Sequence, residues 1–130
     1  MIAYKTLSVM TAALSITLAC FLLLFPEPLF LVFGVAGNES AYFICRRASM
    51  FFAGYAAMAF LSRHEPPSAA RQAMALGIGT SMAGFAALGL FELLRGFAGP
   101  GILLPMAIEV FLALAYFSIW SRDRRSEAAQ

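Results

Sequence analysis

Apolar residues in this chain come in four long unbroken runs rather than alternating with polar ones. The first extends from about Leu7 to Phe25 and stops at Pro26-Glu27-Pro28; the others cover about Ala41 to Leu61, Ala73 to Leu94 and Ile102 to Trp120. Roughly 20 residues is the length a helix needs to cross the hydrocarbon core of a bilayer. Ser68, after Pro66-Pro67, suits the N-cap of the third run, and Gly99-Pro100-Gly101 predicts a tight reversal before the fourth. Short connections make sequential helices antiparallel neighbours. The expected fold is all-α, an integral membrane four-helix antiparallel bundle. It forms a single transmembrane domain over residues 1–130, with spans at about 7–25, 41–61, 73–94 and 102–120, an outer interfacial loop at 26–40 and a tail at 121–130.

The first run reads as a retained span rather than a signal peptide. It exceeds the usual signal core of about 7 to 15 apolar residues, no small-x-small cleavage site ends it, and more apolar sequence follows. Thr17-Leu18-Ala19-Cys20 matches a lipoprotein box only loosely, having Thr where the motif needs an aliphatic residue.

Composition agrees. The 130 residues are 62% hydrophobic and 12% charged, with a mean hydropathy of +0.82, whereas an ordinary soluble domain is about 45–50% apolar and about 25% charged. A net charge of +2, spread over helix ends rather than gathered in a basic patch, gives no argument for nucleic acid, and none is expected as a partner. Cys20 and Cys45 lack Cys-x-x-Cys spacing and His64 is the single histidine, so neither a metal site nor a cofactor is expected. The two cysteines fall at similar depth, which leaves a disulfide geometrically open beside the simpler reading as buried thiols.

Charge also sets orientation, since Lys and Arg concentrate on the cytoplasmic side. Lys5, Arg63, Arg71, Arg122, Arg124 and Arg125 fall on one side; Arg46, Arg47 and Arg95 fall on the other. Both termini are therefore expected to be cytoplasmic. Arg46 and Arg47 then lie about five residues inside the second span, roughly 8 Å deep at 1.5 Å per residue. Glu109 is comparably deep in the fourth span, and Glu92 and Arg95 close the third. Charges inside a bilayer cost a few kcal/mol and normally face the bundle interior, a partner or a water-filled cavity.

These five residues, Arg46, Arg47, Glu92, Arg95 and Glu109, form the candidate cluster. One reading pairs Arg46 or Arg47 with Glu109, and Arg95 with Glu92, as structural ion pairs. The other makes the cluster a ligand pocket, and Glu109 is in addition a candidate proton carrier. Helical phase places Glu92 with Gly77, Ser81, Gly84 and Leu88, a small-residue stripe suited to a neighbouring helix. It places Glu109 with Ile102, Ala113, Tyr116 and Trp120. On the first span Tyr4, Ser8, Thr11 and Ser15 make a polar stripe; together with the cluster it outlines a discontinuous path, although hydroxyls also bond carbonyls of their own helix. The apolar loop 26–40 lies along the interface or folds over the bundle mouth as a lid.

Phe25-Pro26-Glu27 closing the first span, Phe33-Gly34-Val35 in the loop, the Arg46-Arg47 pair and Glu109-Val110 together resemble small bacterial four-span membrane proteins of unknown function and, more loosely, the DoxX-like group. The resemblance covers nearly the whole chain. It implies a bacterial inner membrane location and a compact bundle, and brings no catalytic residues. DoxX-like proteins are associated with redox complexes, but no quinone or haem signature is present here.

The expected function is binding or transport of a small anionic or amphipathic ligand through the charged pocket. The alternative is a non-catalytic accessory subunit of a larger membrane complex. In either case the expected partners are the lipid bilayer and further copies of the chain or a membrane complex. An enzyme ranks below both, because no nucleophile stands with a base.

Overall fold

The computed structural model describes residues 3–128, and they are helical apart from short connections. Five α-helices follow in order: α1 (Tyr4–Leu24), α2 (Glu27–Phe33), α3 (Glu39–Leu61), α4 (Ala69–Leu94) and α5 (Leu103–Ala128). Three stretches are long and apolar enough to cross a membrane: Tyr4–Leu24, Ala69–Leu94 and Pro100–Ser126. The second expected span, α3, is not among them, because Glu39, Arg46 and Arg47 occupy its first turns.

Local signals explain the boundaries. Asn38 caps α3 by accepting from the Ala41 amide, and Ser68 caps α4 by accepting from the Arg71 amide, as its place after two prolines predicts. Two expectations are revised. The interfacial loop 26–40 contains α2, which starts after Pro26 and ends at Gly34 in the left-handed conformation (φ 65°). Glycine accepts this backbone at no steric cost, and it halts the helix. The expected tail at 121–130 is helical as far as Ala128, a continuation of α5, with residues 129–130 outside the described region.

The helices form two tightly packed hairpins, α1 with α3 and α4 with α5. Between helices in lipid, close van der Waals packing at small residues replaces the hydrophobic drive. On α4 that packing uses Gly79, which lies under the Phe117 ring, and Gly89, under Met106. The expected stripe divides: Ser81 accepts from the Tyr55 hydroxyl of α3, whereas Gly77, Gly84 and Leu88 are exposed, with open space where a Cβ would stand on either glycine. The inward face of α4 is instead Ala75, Ile78, Met82 and Ala86. It meets Leu112, Ala113, Tyr116 and Ile119 of α5 together with Tyr4 and Leu7 of α1.

The hairpins meet at their ends. At the end carrying the termini, the Tyr4 hydroxyl lies 3.1 Å from Ser62 Oγ beyond α3, and the Arg71 guanidinium lies over the Tyr4 ring at 5.0 Å. At the opposite end α2 docks on the α4–α5 turn, where the Gly99 amide donates to the Phe33 carbonyl at 2.6 Å. The approach demands glycines: a Cβ on Gly34 would stand 3.1 Å from Gly99 Cα, and one on Gly101 would drive into the Val32 carbonyl.

Candidate functional site

Between the two hairpins lies a cavity of about 470 Å³. Helix α1 contributes Thr11, Leu14, Ser15, Thr17, Leu18 and Phe21; α5 contributes Leu104, Pro105, Ile108, Glu109 and Leu112; Phe52 of α3 and Met82 and Phe85 of α4 complete the wall. Glu109 is the one ionisable side chain in that described lining. It is half-buried and forms no ion pair with a described residue.

The helical phase of two elements places the polar groups. Tyr4, Ser8, Thr11 and Ser15 all project inward from α1 and are buried. On α5 the face carrying Glu109 continues through Ala113 and Tyr116, both buried. Where these faces meet, the Tyr116 hydroxyl donates to Thr11 Oγ1 at 2.9 Å, and Thr11 in turn lines the cavity. Thr11 and Ser15, assigned on sequence to a polar zone separate from Glu109, therefore line the same cavity as Glu109. Below them the Ser8 hydroxyl is fully enclosed, with no partner of good hydrogen-bond geometry among the described residues.

The other cluster residues do not join Glu109. Arg46 turns back toward Glu39 of its own helix, with Nη2 4.0 Å from Oε2, and both groups are substantially exposed. Arg47 is exposed, its guanidinium 5.9 Å from the Phe43 ring centre. Arg95 does meet Glu92, Nε to Oε2 at 3.0 Å, but one turn away on α4 and beside the Phe91 and Phe97 rings. That pair lies within one helix and pins no second helix. The five residues thus divide into a carboxylate in the cavity and four charges outside its lining. Cys20 and Cys45 are free thiols.

A buried charge pair that sequence reasoning missed lies at the terminal end. Arg71, 7% exposed, makes a two-pronged contact with Asp123, 2% exposed: Nε to Oδ2 at 2.6 Å and Nη2 to Oδ1 at 2.7 Å. A third guanidinium nitrogen, Nη1, donates to the Glu65 carbonyl at 3.2 Å. The fork geometry of arginine matches a carboxylate in this way and gives strong, orienting hydrogen bonds. Together with Tyr4 and Ser62, the pair binds all four long helices at this end. Both residues lay outside the apolar runs and read as loop or tail charges. The available signal was periodicity: Arg71 precedes Ala75, Ile78 and Met82 at helical spacing, and Asp123 follows Tyr116 by two turns.

Among the described residues there is no group of three or more His, Cys, Asp or Glu side chains arranged to hold a metal ion. No protein-family model, curated protein or solved structure matches the chain.

Proposed function

We propose that the chain crosses a membrane four times with both termini on the cytoplasmic side, and that it binds a small amphipathic molecule in the inter-hairpin cavity. Three helices suffice in length and apolarity. The case for α3 as a fourth span is its place beside α1: at 1.5 Å per residue its length is roughly 34 Å, against a hydrocarbon core of about 30 Å. A bacterial inner membrane is consistent with the resemblance to small four-span proteins.

The observation that carries the binding reading is Glu109, a carboxylate without a described cationic partner in a mostly apolar cavity whose volume lies in the ordinary ligand range of about 300–1,000 Å³. A bundle that needed only mutual packing would gain nothing from a carboxylate there, since buried polar groups cost free energy unless paired. The chemistry favours a head group that donates hydrogen bonds to the carboxylate, cationic or hydroxylic, and an apolar body against Leu18, Phe21, Phe52 and Phe85. Arg46 and Arg47, the groups that would receive an anion, are not in the lining.

Dodecylamine is a suitable probe. It should raise the melting temperature of the wild-type protein in nanodiscs and do so far less for Glu109→Gln. A charged hydrogen bond is worth about 1.5–3 kcal/mol, so affinity for the variant should fall by about 10- to 150-fold. Equal stabilisation of both proteins would refute the role of Glu109.

A second reading, an accessory subunit or homo-oligomer, is favoured by the exposed small-residue face of α4. Gly77 and Gly84 leave open space into which another helix fits. Co-purification of a stoichiometric partner in mild detergent supports it, and a monodisperse single copy counts against it.

A further inference from the structure

We infer that the end of the bundle carrying the termini is a docking surface for anionic phospholipid, with Arg63, Arg122 and Arg124 receiving the phosphate of the headgroup. This rests on the reading of the chain as a membrane protein and adds to it the lipid that the protein selects.

Charge is divided unequally between the two ends. The end with the termini holds Lys5, Arg63, Arg71, Arg122, Arg124 and Arg125 against Glu65, Asp123 and Glu127. The opposite end holds Arg46, Arg47 and Arg95 against Glu27, Glu39 and Glu92, so the first end has a surplus of three positive charges and the second has none. What is buried at the terminal end keeps that surplus on the surface. Asp123 gives both carboxylate oxygens to Arg71, at 2.6 and 2.7 Å, and the pair is nearly enclosed. Arg122 reaches the same carboxylate only at 3.8 Å and stays 44% exposed. The Glu65 carboxylate accepts from the Ser68 hydroxyl. At the opposite end the cations lean on acids of their own helices, Arg46 toward Glu39 and Arg95 toward Glu92.

The same buried groups fix where the free cations stand. Tyr4 meets Ser62 at 3.1 Å, and the Arg71 guanidinium that holds Asp123 lies over the Tyr4 ring, so the ends of all four long helices are tied at one level. Lys5 and Arg63 are the chain neighbours of Tyr4 and Ser62, and Arg122 and Arg124 flank Asp123. Basic side chains from three parts of the chain therefore surround one rigid centre.

Aromatic rings set their depth. The Arg63 guanidinium lies 3.8 Å from the centre of the Phe60 ring and that of Arg124 lies 5.4 Å from the Trp120 ring, each folded back toward the apolar part of its helix. Tryptophan settles at the headgroup level of a bilayer, and Leu61, beside Phe60, is 77% exposed as a lipid-facing residue would be. An arginine held on such a ring stays in the phosphate layer instead of extending into water. Its planar fork of donors matches a phosphate, and a surface with surplus positive charge favours a headgroup that brings no cation of its own.

Native mass spectrometry of the full chain in mild detergent, titrated with phosphatidylglycerol or with phosphatidylcholine of the same acyl chains, reads the preference. One basic residue near an anionic surface contributes about fivefold in affinity, so the wild type should favour phosphatidylglycerol by at least about tenfold and Arg63→Gln or Arg124→Gln should each lose about fivefold. The triple variant Arg63→Gln/Arg122→Gln/Arg124→Gln should bind the two lipids alike, whereas the same three positions changed to Lys should keep most of the preference. Arg46→Gln/Arg47→Gln, at the opposite end, should keep all of it. Millimolar glycerol phosphate, the anion without acyl chains, should leave the bound lipid in place; displacement would make a soluble anion the ligand and overturn the lipid assignment. Equal binding of the two lipids by the wild type, or a loss in the lysine variant or in Arg46→Gln/Arg47→Gln as large as in the triple glutamine variant, would overturn the docking surface. The membrane reading has a separate readout, since an integral protein stays with vesicles washed in alkaline carbonate whichever lipid it prefers.

Discussion

The Arg71–Asp123 pair gives the sharpest energetic prediction. Asp123→Leu removes both carboxylate oxygens and leaves a guanidinium, 7% exposed, with two donors unpaired at the positions now satisfied at 2.6 and 2.7 Å. Each charge-assisted hydrogen bond is worth about 1.5–3 kcal/mol, and breaking a buried pair from one side costs about 3–5 kcal/mol once relaxation is included. The Glu65 carbonyl and the Tyr4 ring remain as partners, which places the loss toward the lower half of that range. Arg71→Met strands the Asp123 carboxylate with Arg122, whose Nε is 3.8 Å away and whose side chain is 44% exposed; that arginine can move closer, so this variant should lose somewhat less. The double variant Arg71→Met/Asp123→Leu buries no unpaired charge and should return to within about 1 kcal/mol of wild type. Denaturant unfolding in mixed micelles, followed by the fluorescence of the single tryptophan, Trp120, closes the cycle. A coupling energy of about 4–6 kcal/mol is expected, the two single losses less that of the double variant. Single variants each costing under about 1 kcal/mol, or a double variant costing the sum of the singles, would refute the claim that this pair fastens the terminal end.

Three further perturbations separate the parts of the structure. Tyr116→Phe deletes the donor to Thr11 and should cost about 1 kcal/mol, with Thr11→Val costing a similar amount and the pair of changes little more than either, read by the same unfolding assay. Gly101→Ala forces a Cβ against the Val32 carbonyl and should release α2 from the α4–α5 turn; loss of hydrogen-exchange protection at the Gly99 amide reports it, and unchanged protection contradicts it. Gly79→Ala presses on the Phe117 ring and should destabilise the α4–α5 hairpin, whereas Gly77→Ala and Gly84→Ala meet open space and should be neutral or gain up to about 1 kcal/mol from helix propensity. If either of the latter pair disrupts an oligomer, the accessory-subunit reading gains.

The sequence carried the long helices and their inward polar face, and it did so for a physical reason. Apolar runs of spanning length admit few alternatives to helices, and a hydroxyl at every helical turn of α1 cannot all face lipid. Tyr4, Ser8, Thr11 and Ser15 are accordingly buried, and Glu109 turns inward with Tyr116. Pairing between helices was less legible. Arg46 and Arg47 share a depth with Glu109 but not an azimuth, and depth alone does not bring side chains together. Two small-residue faces compete on α4, and the choice between them depends on Phe117 and Met106 of α5, which need Gly79 and Gly89 opposite them. Arg71 and Asp123 are 52 positions apart and sit beyond the apolar runs, where charge reads as solvated. Their burial follows from helices that continue past the apolar segments. Helix α2 escaped notice because its seven residues give too short a window for periodicity to register.

The central claim is that one amphipathic molecule occupies the cavity with its head at Glu109, and native mass spectrometry of the protein released from nanodiscs measures that occupancy directly. The wild type should retain one dodecylamine per chain, Leu18→Trp, which fills the cavity, should retain none, and Glu109→Gln should retain it only at much higher probe concentration. Retention by Leu18→Trp equal to that of the wild type would place the bound molecule elsewhere and contradict the account.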